Sequence, residues 1–408
     1  MNVVWQDRIN KICFVLLCAL GVVLPILESP KTLFVALLFL AWLVQLAITR
    51  PRLRRPDSFE WALIALMLAS LASTVINWPF SNGTKGLKDT FYWSFVGWFI
   101  YRAGYSAARK YTLALFVSLG TLAAIAWGIS RVIVGTKVNL EFHSAGVVTQ
   151  AAIYLSISLF AALGVAYFGA NASNVSQRHR VYWRVATLVM FIGLFLMASR
   201  GAILGVIVVC ALLVVLVRDR RLWAAIAALF VIAVAATLLL PNRFDQWRSI
   251  NKIEAMVTGK STPGSDIERR DIWRVAVAQI ERGDAILFGI GPRNYKSIDP
   301  KSFNFDPPLQ SNFTPNHAHN LFLTKYIEEG VVGLAAFLFL LLVVAHQLFR
   351  DWRADNFRHW PWLAGVAAIL VPTIAGSFNT PWYQEHAILA MIFVGLCLSD
   401  KSASLQRA

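Results

Sequence analysis

Long apolar blocks constrain this chain more than any other feature of its sequence. They alternate with short segments rich in charged and turn-forming residues, and many reach the length of about 20 residues that a helix needs to cross a bilayer. Hydrophobic residues make up 57% of the chain and charged residues only 15%. Soluble domains do not have this composition. The sequence therefore predicts an integral membrane protein.

The blocks predict an all-α polytopic membrane protein with about twelve transmembrane helices. Residues 1–240 would hold the first nine, residues 241–329 one large and partly helical external loop, and residues 330–408 the last three and a cytoplasmic C-terminus. The expected spans are 11–27, 31–49, 59–77, 87–101, 111–135, 147–168, 184–198, 201–217, 222–240, 330–349, 360–376 and 385–399.

The distribution of Lys and Arg predicts the orientation. Twenty basic residues lie at one set of helix ends and six at the opposite short loops and nearby helix ends. Basic residues accumulate in cytoplasmic loops, so both termini are expected in the cytoplasm. The start resembles a signal peptide without a cleavage site, and we interpret it as an uncleaved first helix.

The formal net charge of +16 raises the question of a nucleic-acid partner. The basic residues are spread over several cytoplasmic segments, whereas nucleic-acid-binding proteins usually concentrate them in one stripe. We therefore expect membrane lipids, and no nucleic acid, as partners.

The loop is the part of the chain most suited to carry function. Ser265–Glu281 predicts a helix capped by Ser265, with Ile272, Val275, Ala276 and Ile280 on one face. A glycine-rich turn follows at 287–292, and 320–334 predicts a helix that enters the membrane.

Three arginines are candidates for binding an anion. Arg200 stands alone between two apolar spans, where a guanidinium is costly unless it snorkels to the interface or binds a negative group. Arg269 and Arg270 open the loop helix that contains Trp273, and guanidinium groups suit phosphate oxygens. The alternatives are an interfacial anchor and ion pairs with Glu268 or Asp271.

Two histidines precede the return of the chain to the membrane. His317 and His319 could supply a general base, because neutral imidazole accepts protons near pH 7. They could also be ordinary interfacial residues or part of a zinc site, although no third ligand stands out nearby. A later polar turn with Asn379, Thr380, Tyr383, Glu385 and His386 could line the same site or cap a helix.

Three motifs in this order resemble the O-antigen ligase and polymerase superfamily of bacterial envelope glycosyltransferases. They are Ser199-Arg200-Gly201-Ala202, then Arg269 with Trp273 and Leu287-Phe288-Gly289-Ile290-Gly291, then His319-Asn320 with Glu328-Glu329-Gly330-Val331-Val332-Gly333-Leu334. The resemblance covers roughly residues 185–350.

The resemblance implies a GT-C-like enzyme of the inner membrane that needs neither a cofactor nor a metal. It would transfer a glycan from undecaprenyl diphosphate to lipid A-core at the periplasmic face. His319 would be the general base, and Arg200 and Arg269 would stabilise the diphosphate. The residues expected to bind substrate are Arg270, His317, Asn320, Trp273, Gly289 and Gly291.

Several functions compete with O-antigen ligation. Relatives include O-antigen polymerases and transferases that glycosylate proteins, and the motifs do not separate these activities cleanly. We favour the ligase because the chain has a single dominant external loop. A transporter of lipid-linked glycans is the main non-enzymatic alternative, but transporters usually place ionisable residues at the centre of the membrane.

Overall fold

The computed structural model describes residues 2–49, 55–78, 82–137, 139–144, 148–169, 177–197, 199–238, 263–283, 285–310, 316–354, 357 and 359–405. These residues form thirteen α-helices and two short 3₁₀ turns, Tyr295–Ser297 and Pro300–Ser302. The helices are α1 (Asn2–Val23), α2 (Glu28–Thr49), α3 (Ser58–Ile76), α4 (Gly83–Ala103), α5 (Ala107–Ile133), α6 (Val148–Phe168), α7 (Gln177–Met197), α8 (Arg200–Val217), α9 (Arg220–Leu238), α10 (Pro263–Glu281), α11 (Leu321–Arg353), α12 (Trp360–Gly376) and α13 (Gln384–Leu405).

The all-α fold class is confirmed. Each predicted span overlaps one helix, and α10 is the only helix of the described chain that corresponds to none of them. Seven helices are long and apolar enough to cross a membrane, namely α2, α3, α5, α6, α7, α8 and α11. Two shorter apolar helices are Trp360–Gly376 and the Glu385–Ser399 part of α13. The count of twelve crossings stays a prediction.

Small residues let the helices of the bundle approach closely. Gly97 of α4 lies against Met391 of α13, and Gly395 of α13 lies against the carbonyl oxygen of Gly97. Close contacts of this kind are common between membrane helices, where dispersion forces do more than hydrophobic burial. The helix pair α4 and α13 therefore packs tightly at the centre of the molecule.

The segment between α9 and α11 has a small apolar core of its own. Ile272, Val275 and Ala276 of α10 are buried together with Tyr295 and Ile327. The predicted inward face of the loop helix is thus confirmed. The helix begins at Pro263, two residues before the predicted cap Ser265, and proline is well suited to the first turn of a helix.

Helix α11 is longer than the apolar block that predicted it. It begins after Asn320, whose side-chain oxygen accepts the Leu323 N–H at 3.0 Å, and it continues to Arg353. At Gly330 the backbone leaves the helical conformation, with φ of 71°. The part before Gly330 carries polar residues, and the part after it is the apolar span.

The bundle has two ends that differ in what they carry. The end that bears Arg200, the 285–310 segment and the start of α11 is called the loop face below. Helix α8 runs from Arg200 at the loop face to Val217 at the other end, called the opposite face.

Candidate active site

Arg200 lies at the loop face, where three helix ends meet. It is the first residue of α8 and is half-buried. The adjacent Gly201 packs against Ala375 at the end of α12, and Gly376 packs against the Leu321 side chain at the start of α11. The fold therefore brings Arg200 to the neighbourhood of the residues that precede α11.

His319 occupies that position just before α11, in an unusual backbone conformation. Its φ is 47°, which non-glycine residues rarely adopt. The preceding residue, Ala318, is held on both sides: its N–H donates to Thr324 Oγ1 at 3.2 Å, and its carbonyl accepts Trp273 Nε1–H at 2.9 Å. The centroids of the His317 and His319 rings lie 4.4 Å apart.

The electrostatic environment keeps both imidazoles neutral. Burial lowers the pKa of His319 most, and together with the nearby His317 and the positive charge of Arg269 it brings that pKa to about 4. Burial also lowers the pKa of His317, and a hydrogen bond with Asn379 opposes that shift. Arg269 therefore lies near His319, and its action on the same substrate stays a prediction.

The two neighbouring arginines of α10 have different surroundings. Arg269 is half-buried and influences His319, whereas Arg270 is exposed and donates from Nη2 to Gln310 Oε1 at 3.0 Å. The buried Asp271 accepts the Gln310 N–H at 2.7 Å and fixes this segment of the loop. The two arginines therefore have different neighbours, and the choice of Arg269 to stabilise the diphosphate stays a prediction.

The glycine-rich turn at 287–291 packs against the backbone of α11 around Gly330. The Ile290 N–H donates to Ile327 O and the Gly291 N–H to Glu328 O, both at 2.9 Å. An added Cβ at Gly289 would lie 2.3 Å from the carbonyl carbon of Glu328, and one at Gly330 would lie 2.2 Å from Leu287 O. The 287–291 turn and the 327–332 part of α11 therefore interlock, and this contact is called the clasp below.

Three of the predicted substrate-binding residues have clear structural partners. Trp273 bonds to Ala318, and Asn320 caps α11 and donates from Nδ2 to Ser377 O at 3.2 Å. Gly291 is fixed in the clasp. These contacts hold the site together, and direct contact with substrate stays a prediction for all three.

A buried polar network under the clasp was missed by the sequence analysis. Tyr383 donates its hydroxyl to Glu328 Oε2 at 2.5 Å, and the Tyr295 N–H donates to Glu328 Oε1 at 3.3 Å. Arg293 pairs with Asp89 at 2.6 Å and lies over the Tyr383 ring. Burial and the Glu328 carboxylate raise the pKa of Tyr383 well above its ordinary value, so it is a proton donor here.

The polar turn after α12 belongs to the loop face. Asn379 contacts His317, and Tyr383 contacts Glu328, so this turn joins the candidate site as well as preceding α13. Glu385 pairs with Lys31 of α2 and accepts a hydrogen bond from Ser144 at 3.0 Å. The sequence did indicate that Glu385 has a partner, because charged residues near apolar spans usually have one.

Strained backbone also concentrates here. In the described part of the chain, four non-glycine residues have a positive φ, and Arg293, His319 and Trp382 all lie at the loop face. Such residues cluster at functional sites, because surrounding contacts must hold them there. This clustering supports the loop face as the functional end of the molecule.

The comparisons with known proteins agree with this location. No match was found among curated proteins. The family described as O-Antigen ligase matches residues 185–338, a range that contains Arg200, Arg269 and His319. Over this part of the chain, the predicted resemblance to the O-antigen ligase superfamily is therefore confirmed.

Proposed function

We propose that the protein is an O-antigen ligase, a glycosyltransferase that moves a glycan from undecaprenyl diphosphate to a sugar hydroxyl of lipid A-core. The observation that carries the proposal is the placement of a neutral, half-buried His319 near the positive charge of Arg269, inside the region that matches the family. The ligase family match makes glycan transfer the natural chemistry for such a base beside a cation.

The donor gives the arginines their role. When the anomeric C–O bond breaks, the electron pair stays with the diphosphate, whose negative charge grows in the transition state. Arg269 and Arg200 would bind that charge, and preorganised donors stabilise a transition state because they need no reorganisation. Both arginine side chains are half-buried, so their attraction to the diphosphate is stronger than it would be between fully exposed groups in water.

The acceptor gives His319 its role. The sugar hydroxyl attacks the anomeric carbon and loses its proton to the imidazole, so one C–O bond forms as another breaks and the anomeric configuration inverts. A base with a pKa near 4 is weak at neutral pH. A bound diphosphate would raise that pKa, because an anion favours the imidazolium and offsets the charge of Arg269.

The proposed orientation places the loop face in the periplasm of the inner membrane, with both termini in the cytoplasm. Lipid-linked glycan and lipid A-core would both reach the site from the membrane. The basic residues at the opposite helix ends support this orientation.

The test is a transfer assay with purified protein, lipid-linked O-antigen and lipid A-core. Variants are His319→Asn, Arg269→Ala and Arg200→Ala; asparagine is chosen because it tolerates the left-handed conformation of residue 319. We expect His319→Asn to lower kcat by about 10²–10⁴-fold and each arginine change by about 10²–10³-fold. The exposed Lys301→Ala is the control and should keep wild-type activity.

Other products would decide between the related activities. Longer carrier-linked glycan with bare lipid A-core would make the protein a polymerase and refute the ligase assignment. Glycan on a protein acceptor would identify a protein-directed transferase. Wild-type activity in the His319→Asn variant would exclude His319 as the base.

A further inference from the structure

A large open cavity lies at the opposite face, far from the candidate active site. It has a volume of about 980 Å³ and is formed by the ends of α6 and α8 and the starts of α7 and α9. Arg200 stands at the other end of α8, so the cavity shares no residue with the loop face.

The rim of the cavity is strongly basic. Four exposed arginines line it, against one carboxylate, Asp219: they are Arg184, Arg218, Arg220 and Arg221. Asp219 is already engaged, since it accepts the Arg221 N–H at 2.8 Å and a hydrogen bond from Tyr167. Among the described residues, no carboxylate lies within ion-pair distance of the four guanidinium groups.

The wall of the cavity is apolar. On α9, the lining residues Ala225, Ala228, Leu229 and Ile232 follow helical spacing and form one apolar stripe below the rim residue Arg221. At 1.5 Å per residue, the stripe covers about 10 Å along the axis, and the distance from Arg221 to Ile232 is about 16 Å. One leaflet contributes about half of the ~30 Å hydrocarbon core, so the rim and the stripe together have the depth of one leaflet.

We propose that this cavity binds one anionic phospholipid from the leaflet at the opposite face. The guanidinium groups of the rim would bind its phosphate through charge-assisted hydrogen bonds, which suit the planar fork of arginine. One acyl chain would lie along the apolar stripe of α9. A soluble phosphate would not use that wall, and a purely apolar ligand would leave the basic rim unused.

Native mass spectrometry of the detergent-purified chain tests the proposal. The probes are dioleoylphosphatidylglycerol, dioleoylphosphatidylcholine and soluble glycerol 1-phosphate. We expect one phosphatidylglycerol to bind in preference to the other two. The variant R184Q/R221Q should weaken this binding about tenfold or more, since each charged hydrogen bond contributes on that scale.

Two further variants separate the lipid site from general lipid adhesion. Ala228→Trp should weaken phosphatidylglycerol binding by filling the space of the acyl chain while the arginines remain. The matched control R8Q/R350Q removes two exposed arginines elsewhere and should bind as the wild type does.

Each contrary outcome overturns the proposal. Equal binding of phosphatidylcholine would show that the rim does not select charge. Equal competition by glycerol 1-phosphate would indicate a phosphate site without a lipid. An equal loss in the control would indicate adhesion to the whole basic surface, and dimers lost in R184Q/R221Q would identify a second copy as the occupant. The His319→Asn variant should bind the lipid as the wild type does. The result for the lipid site therefore does not depend on the result for the proposed function.

Discussion

At the scale of single residues, the candidate site depends on the groups that hold His319 as well as on His319 itself. The left-handed backbone of His319 is unfavourable by itself. Two hydrogen bonds of the neighbouring Ala318 hold it in place, because Trp273 Nε1–H donates to the Ala318 carbonyl and the Ala318 N–H donates to Thr324 Oγ1. Trp273 thus acts on the histidine through the backbone of Ala318. A change at Trp273 would disturb the position of the base before it disturbs any substrate.

The depressed pKa of His319 predicts a loss of stability in mild acid. The unfolded chain has an ordinary histidine pKa of 6.5, and the folded chain one of about 4. Below pH 6.5 the unfolded state therefore binds the proton more readily, so stability falls as the pH drops from 6.5 towards 4. His317 shifts in the same direction. Thermal unfolding in detergent between pH 7.5 and 5.5 should show this slope.

The double variant H317N/H319N should flatten that slope, because both shifted groups are removed. The exposed His346→Asn should leave the slope of the wild type unchanged. A slope equally steep in H317N/H319N would assign the acid sensitivity to other groups.

The sequence indicates candidate site residues where a motif marks them, and it does not indicate those that come together only through distant segments. Arg200, Arg269 and His319 were named from motifs, and the fold brings their elements together. Arg293 and Tyr383 were not named as a pair, because their contact joins segments about ninety residues apart. Nothing in either segment alone indicates that contact.

At the scale of elements, the clasp between the 287–291 turn and the 327–332 part of α11 fixes the loop. Gly289 and Gly330 both have a positive φ, and both lie directly against backbone atoms of the other segment. Each position therefore requires glycine for two separate reasons. Ser73 of α3 donates to Glu328 O at 2.9 Å, and Asn77, the residue that follows α3, donates to Gly289 O at 3.1 Å. The turn, the start of α11 and the end of α3 therefore form one unit.

Alanine in the clasp should destabilise the protein strongly. For Gly289→Ala and Gly330→Ala we expect a loss of about 2–6 kcal/mol, the sum of backbone strain and overpacking. Gly104→Ala is the matched control, because Gly104 has a φ of 56° but open space around it. It should cost only about 1–2 kcal/mol. Thermal unfolding of the three variants measures the difference, and equal losses would rule out the clasp as its cause.

The apolar pattern predicted the spans but not the full length of α11. The block at 330–349 corresponds to the part after Gly330, while the helix begins nine residues earlier, close to the start of the helix predicted separately at 320–334. Lys325, Glu328 and Glu329 are polar yet buried there, because Lys325 pairs with Glu329 and Glu328 pairs with Tyr383. Hydropathy cannot predict such partners, since burial of charge depends on tertiary contacts.

At the scale of the whole molecule, the two ends of the bundle should face different compartments. Lys296→Cys places a thiol at the loop face and Ala354→Cys one at the opposite face, both at exposed positions. A membrane-impermeant maleimide should label only Lys296→Cys in spheroplasts. The four native cysteines are buried, so the background should be low.

Permeabilised cells provide the control, because both variants should then be labelled. Labelling of Ala354→Cys alone in intact spheroplasts would invert the orientation and move the proposed site to the cytoplasm. Since the charge distribution is the only basis for this prediction, the experiment tests it directly.

The bond between Ser73 and Glu328 has a consequence for how the protein is made. The two residues are 255 positions apart, and ribosomes add about 5–20 residues per second. After α3 leaves the ribosome, about 10–50 s therefore pass before its partner is synthesised. During that interval the Ser73 hydroxyl at the end of α3 lacks the carbonyl acceptor that the finished fold provides. A nascent chain stalled before residue 321 should therefore be a better substrate for membrane quality-control proteases than the finished protein.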